Sequence, residues 1–140
     1  MKRTMNMENQ PTSGKTRSLS ILVAEDNLIN QRLIMAALAR VGHKVDSAAD
    51  GEIAVEKYRE NTYDVILMDI MMPNMDGETA CKLIRKLEAE RNIPESDRIK
   101  IIAVTANAFE DDRDRFLEAG IDAMMNKPID IEELQRLLFS

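Results

Sequence analysis

The stretch "DVILMDIMMPNMDG", Asp64–Gly77, decides the fold. Val65, Ile66, Leu67 and Met68 make an unbroken apolar run, as in a strand covered on both sheet faces. The run ends on a carboxylate, Asp69, with no cation close to it in sequence. Pro73 and the turn signal "MDG" follow at once, so the strand stops there and a helix starts at Gly77. A buried strand that ends on an unpaired acid requires something else to come to it in space.

Working outward, the same alternation recurs along the chain. The strand candidates are "SILVAED" (20–26), "HKVDSA" (43–48), "YDVILMD" (63–69), "KIIAVTA" (100–106) and "IDAMMNK" (121–127). Helical patterns separate them. Leu33, Ile34, Ala37, Leu38 and Val41 have core spacing and stop at Gly42, while a second helix starts at "ADGE" with Ala54 and Tyr58 on one side. Ala80, Leu83, Ile84 and Leu87 form the stripe of the third. The fourth, "NAFEDDRDRFLEAG", is mostly charged and has only Phe109, Phe116 and Ala119 to bury. The fifth begins with Asp130 and Glu133 at capping-box spacing and turns Ile131, Leu134 and Leu138 inward.

Five strand–helix units predict an α/β fold: a doubly wound parallel sheet with right-handed crossovers and helices on both faces. Five strands favour the flavodoxin-like order 2-1-3-4-5, whose topological switch point lies between the carboxyl ends of strands 1 and 3. Ligands bind at that point. Asp69 ends strand 3, and Glu25 and Asp26 end strand 1.

The totals narrow the function. A chain of 140 residues, 44% hydrophobic and 31% charged, suits one domain with an ordinary core and surface. A net charge of −6 argues against a direct nucleic-acid face or docking on anionic lipid. No apolar run approaches the roughly 18–20 residues of a membrane span, and the N-terminus lacks a signal-peptide core. The single cysteine, Cys81, suits a reducing compartment. A cytoplasmic protein without membrane insertion is expected. Residues 1–18 are polar and read as a flexible tail or linker, with the folded domain over 19–140.

Three carboxylates at neighbouring strand ends repel one another. At about 4 Å and an effective dielectric of about 20, each pair costs roughly 4 kcal/mol. Either their pKa values rise or a cation sits among them. An all-oxygen ligand set without His or thiolate selects a hard cation, and Mg²⁺ fits best. Taken singly, such acids could merely cap helices, and Asp26 and Asn27 are both plausible caps for the first helix. Thr105 and Lys127 close strands 4 and 5 on the same edge, and a hydroxyl and an ammonium beside a metal–carboxylate site suit a phosphoryl group. A carboxylate beside Mg²⁺ can also attack phosphorus, and Asp69, alone on strand 3, is the candidate nucleophile.

With those residues in view, the chain from about Leu19 to Ser140 resembles the receiver domain of two-component response regulators, including those fused to hybrid histidine kinases. The motifs are "ILVAEDN", "DVILMDIMMPNMDG", "AVTA" and "KPI", in the family's order and spacing. The chemotaxis receiver, a family member, has the same strand order. The resemblance implies that Asp69 accepts a phosphoryl group from a histidine on a partner, a histidine kinase or histidine phosphotransfer protein. It implies that Glu25, Asp26, Asp69 and the backbone carbonyl of Met71 organise Mg²⁺, that Thr105 contacts the phosphoryl group, and that Lys127 pairs with it. A downstream protein target would read the change. The only chemistry expected is self-phosphorylation and slow hydrolysis.

Three features depart from the family or invite another reading. Glu25 stands where Asp is also common. Met124 occupies the position, three before Lys127, where the family usually has an aromatic ring. Met71, Met72 and Met75 crowd one loop, as gap fillers or as a soft docking patch. The lone His43, at the start of strand 2 and away from the strand carboxyl ends, reads as a partly exposed structural histidine. No output module follows the last helix, so a single-domain regulator or the C-terminal receiver of a longer kinase is expected.

Three other functions compete with this reading. A haloacid-dehalogenase-type phosphatase would need a second acid two residues beyond Asp69, where Met71 stands, and room for a cap domain. A flavodoxin-like electron carrier would need a hydroxyl-rich phosphate loop where "EDNLIN" is acidic. A degenerate, binding-only receiver conflicts with the complete acid set. The tail yields a test: a chain starting at Arg17 should melt within a few degrees of the full chain, and a larger drop by calorimetry would show that the tail packs on the domain.

Overall fold

The computed structural model describes residues 17–108 and 113–140. Five strands alternate with five helices: β1 Ser20–Ala24, α1 Leu28–Arg40, β2 Lys44–Ala48, α2 Gly51–Glu60, β3 Val65–Asp69, α3 Gly77–Glu90, β4 Lys100–Thr105, α4 Arg113–Glu118, β5 Ala123–Asn126 and α5 Ile131–Leu138. All strand pairs are parallel, in the order β2-β1-β3-β4-β5. The expected topology is the observed one.

Side-chain alternation along the strands divides the core in two. Leu22, Ala24, Ile66, Met68, Ile101 and Ala103 face α2 and α3, where Ala54, Val55, Tyr58, Ala80, Cys81 and Ile84 meet them, with Phe116 of α4 at the edge. Ile21, Val23, Val65, Leu67, Ile102, Val104 and Met125 face the other way, against Leu38 of α1 and Leu134 and Leu138 of α5. Both faces of β3 are therefore covered, which is why its sequence is continuously apolar rather than alternating. Burial leaves the Cys81 thiol inert, its pKa pushed up to about 12.

Helix starts follow local capping chemistry. The side chains of Asn27, Asp50, Asp76 and Asp130 accept backbone N–H bonds at the first turns of α1, α2, α3 and α5. Asn27, not Asp26, caps α1, and this frees Asp26 for other use. Gly77 meets the end of β3 so closely that a Cβ there would fall onto the Asp69 carbonyl oxygen. That requirement joins the strand end to the next helix.

Some expectations fail where packing between elements decides the outcome. Leu33 and Val41 are exposed, 65% and 41%, because α1 turns Gln31, Ile34 and Leu38 toward the sheet instead. His43 is buried, not partly exposed: its Nδ1 accepts from the Leu19 N–H at 3.0 Å and its Nε2 meets Gln135 Oε1 at 2.9 Å. An Nδ1 that accepts from a backbone N–H fixes the neutral Nε2–H tautomer, with Gln135 as acceptor. The imidazole thus joins the start of β1 to α5. Within the described residues the fourth helix covers Arg113–Glu118; Phe116 and Ala119 are buried as expected, while Phe109 lies outside the described residues. The α3 stripe includes a fully buried charge, Glu88, discussed below.

At the α2 edge, Tyr63 donates its hydroxyl to Asp46 Oδ2 at 2.7 Å, and Lys57 Nζ donates to Asp46 Oδ1 at 3.0 Å. Partial burial raises the Asp46 pKa, but these hydrogen bonds outweigh it and hold the carboxyl below its ordinary value. A depressed acid stabilises the fold above its unfolded pKa, and that contribution is lost as pH falls through the folded pKa. Tyr63→Phe should therefore cost about 1 kcal/mol at neutral pH. The deficit should shrink on acidification below the ordinary carboxylate range, as read by urea unfolding at several pH values.

Candidate functional site

The carboxyl ends of β1 and β3 bring together the residues singled out from sequence. Ala24 pairs with Met68 in register, so the residues that follow, Glu25 and Asp69, emerge side by side. Oxygens of Glu25, Asp26 and Asp69 lie within 4.8 Å of one another. Glu25 and Asp69 are buried, and Asp26 is exposed at the mouth. The cation missing from the sequence around Asp69 arrives from the far end of the chain. Lys127 Nζ lies 2.9 Å from Asp69 Oδ2 and 3.4 Å from Glu25 Oε1.

The backbone positions these groups. Glu25 Oε2 accepts the Asn27 N–H at 3.0 Å, and Asp69 Oδ1 accepts the Met71 N–H at 3.2 Å. The Lys127 N–H donates to the Thr105 carbonyl at 2.9 Å, which brings the residue after β5 against the end of β4. Thr105 is buried, and its Oγ1 accepts the Asn107 N–H at 3.3 Å. Thr105 and Lys127 therefore stand on the expected edge. Met71 presents its backbone to Asp69 while its side chain is 76% exposed; Met72 is buried and Met75 half-buried, so the three methionines do not form one patch.

Charge crowding shows in the electrostatics. Burial pushes the Glu25 pKa up, the Asn27 N–H pulls it down, and the Asp69 charge pushes it up again, for a net rise. Burial works against the Lys127 ammonium, but Asp69 and then Glu25 outweigh it and hold its pKa above the ordinary value. With one ammonium against three carboxylates, the site has room for more positive charge. An all-oxygen donor set with one exposed member fits a hard divalent cation that keeps some of its water.

Sequence reasoning missed one contributor. Gln31 is buried on the sheet-facing side of α1, where its Nε2 donates to the Glu25 carbonyl at 3.1 Å and toward the Ala48 carbonyl at 3.5 Å. It fixes the turn that aims Glu25 and Asp26. The available signal was a polar residue three and seven positions before Ile34 and Leu38, on the same helix face.

The chain matches the response regulator receiver domain family over residues 21–139 and belongs to it. It is 42% identical over 123 residues to hybrid signal transduction histidine kinase I of Dictyostelium discoideum, covering 84% of this chain and 7% of that protein. It is 41% identical over 135 residues to histidine protein kinase 1 of Candida albicans, covering 93% of this chain and 5% of that protein. The chain thus spans less than a tenth of either relative's length. Among solved structures, it is similar to the receiver domain of sensor histidine kinase PA1611 from Pseudomonas aeruginosa, which has a magnesium ion in its active site cleft. That match has a TM-score of 0.75 and 42% identity, over 87% of this chain and 95% of that one. The receiver domain of Saccharomyces cerevisiae Ssk1, crystallised with the histidine phosphotransfer protein Ypd1, matches with a TM-score of 0.79 and 26% identity, over 86% of each chain.

Crowding of the three acids makes a testable imbalance. Without metal, Asp26→Asn should melt above the unaltered protein, by about 3 °C if roughly 1 kcal/mol of repulsion is relieved. With a divalent cation at about a hundredfold excess over its Kd, the unaltered protein should gain about 2.7 kcal/mol. The variant should gain far less, and differential scanning calorimetry with and without Mg²⁺ reads both effects.

Proposed function

We propose that this receiver domain takes a phosphoryl group onto Asp69 from a phosphohistidine on a histidine kinase or histidine phosphotransfer protein. Glu25, Asp26, Asp69 and the Met71 backbone carbonyl would hold Mg²⁺. The observation that carries the reading is the Lys127 ammonium bonded to Asp69 and Glu25 inside a cluster of three carboxylates at the switch point. In transfer, an Asp69 carboxylate oxygen forms a bond to phosphorus, the P–N bond to the partner imidazole breaks, and its electron pair stays on the ring nitrogen. Thr105 donates its hydroxyl hydrogen to a phosphoryl oxygen, and Lys127 pairs with the charge that Asp69 gains. Mg²⁺, when bound, supplies neutralisation of the phosphoryl and carboxylate oxygens.

The partner side is supported by an apolar surface beside the acids. Leu28, Ile29 and Leu33 on α1 are 55%, 71% and 65% exposed. Leu33 lines a groove of about 380 Å³ that runs from Glu25 and Ile34 to Lys127, Pro128 and Ile131. Exposed apolar side chains next to a reacting carboxylate suit transient docking of another protein. The folded unit is taken as 19–140, with 1–18 as a tail outside the described residues apart from Arg17 and Ser18. Its chemistry is limited to its own phosphorylation and slow hydrolysis, and a downstream protein reads the phosphorylated state. The lone buried thiol fits a cytoplasmic setting. The net charge of −6 fits a protein partner rather than nucleic acid. Among the described residues, no helix is long and apolar enough to cross a membrane.

Incubation with acetyl phosphate and Mg²⁺ should add one phosphoryl group by intact mass. Asp69→Ala or EDTA should abolish the addition. Phosphorylation that persists in either case would overturn the assignment.

A further inference from the structure

The loop from Ile70 to Gly77 is secured at its base and at its tip by different means. At the base, the Ile70 N–H donates to the Val104 carbonyl at 3.1 Å and the Gly77 N–H to the Ile70 carbonyl at 3.0 Å. At the tip, the loop reaches across to the start of α2. The Gly51 N–H donates to the Met75 carbonyl at 3.0 Å. The Asn74 side-chain amide nitrogen donates twice, to Asp50 Oδ2 at 3.2 Å and to Glu52 Oε1 at 2.8 Å. Met71 lies between base and tip, with its N–H on Asp69 Oδ1 at 3.2 Å.

We infer that Asn74 is a positioning residue for the phosphoacceptor: by bridging Asp50 and Glu52 it ties the loop tip to α2 and holds the Met71 backbone against Asp69. This inference rests on the function proposed above for that site. Three demands coincide at position 74. The backbone there has a φ of 68°, in the left-handed region that Asn tolerates better than most residues. Two carboxylates face it, and Asn74 supplies each with a donor. Asp50 has already given Oδ1 to the cap of α2, where it accepts the Ile53 N–H at 2.9 Å, so only Oδ2 is open to the loop. A primary amide has two hydrogens on one nitrogen and satisfies both acids at once. Gly would allow the conformation but supply no donor, and Asp would place a third carboxylate against two.

The approach of the two segments is itself specific. A Cβ at Gly51 would lie 2.5 Å from the Met75 carbonyl oxygen, so only glycine lets α2 start this close to the loop. With the Asn74 bridge removed, the loop retains its base contacts and the Gly51–Met75 bond but loses the side-chain restraint on the four residues between Ile70 and Met75. The Met71 N–H and carbonyl lie in that span.

The test compares Asn74→Asp, Asn74→Gly and Asn74→Asp combined with Glu52→Gln. The first two should weaken Mg²⁺ binding by about tenfold, the low end for a residue that orients a metal site from outside it. They should also slow beryllofluoride modification, followed by fluorine NMR. In the double variant the new amide at position 52 donates to the new carboxylate at position 74 while the Asp50 contact stays unmade, so affinity should recover part of the loss. Charge alone predicts the opposite sign, because an added carboxylate near the site would tighten a cation. Amide hydrogen exchange on metal-free protein gives a separate readout: exchange at the Met71 N–H should rise in both single variants and fall part of the way back in the double one. A lowered melting temperature with unchanged Mg²⁺ affinity and unchanged Met71 exchange would overturn the positioning role. Failure of the unaltered protein to bind Mg²⁺, with Met71 exchange still responding to position 74, would instead overturn the function proposed for the site.

Discussion

The structure depends on holding three like charges together where the sheet changes direction. Parallel strands β1 and β3 run in register, so the residues at their ends emerge as neighbours, and here those residues are acids. Left alone, such a cluster would push the strand ends apart or take up protons. The fold opposes this with one ammonium, Lys127, and with backbone N–H groups on Glu25 and Asp69. The opposition is incomplete, since Glu25 stays harder to ionise than usual. That residual imbalance leaves room at the site for a cation.

The opposite end of the sheet is also built around buried charge, but there it is fully compensated. Glu88 on α3 is completely buried, with Arg85 Nη1 on Oε1 at 2.8 Å and the Ile99 N–H on Oε2 at 2.7 Å. Arg85 also donates to the Ile99 and Gly120 carbonyls and to Asp122, which in turn accepts the Ile101 N–H. One guanidinium thus joins α3 to the start of β4 and to the turn between α4 and β5. A buried ion pair of this kind adds little net stability over an apolar core, but removing one partner leaves a costly unpaired charge. Its saturation contrasts with the underfilled site at the other end, where chemistry needs an open valence for charge.

The β3–α3 loop stands between these regimes. Its base is backbone hydrogen bonding and close packing at Gly77, and its tip is the Gly51–Met75 backbone bond with a side-chain amide between two carboxylates. The bonds at the tip lie at the surface and compete with water, which makes them weaker than those in the core. A loop that is rigid at its base and tunable at its tip can position a backbone carbonyl without a dedicated core of its own.

Local sequence signals and chain order determined the five strands and five helices, the parallel order and the edge on which Glu25, Asp26, Asp69, Thr105 and Lys127 gather. Each of those properties is local or follows from chain order: apolar runs, glycine stops, capping residues, and acids at strand ends. The family motifs were equally legible because they sit at those same ends. What the sequence could not decide was pairing across the chain. Nothing local in Lys127 shows that it lies 2.9 Å from Asp69, 58 positions away. Glu88 and His43 look like ordinary surface residues until Arg85, Ile99, Leu19 and Gln135 close around them. Leu33 fits a core stripe by spacing, yet α1 is rotated so that Gln31 takes the inward place. Helix rotation and polar pairing are set by which partner satisfies a buried group. That partner is known only when the elements are packed together.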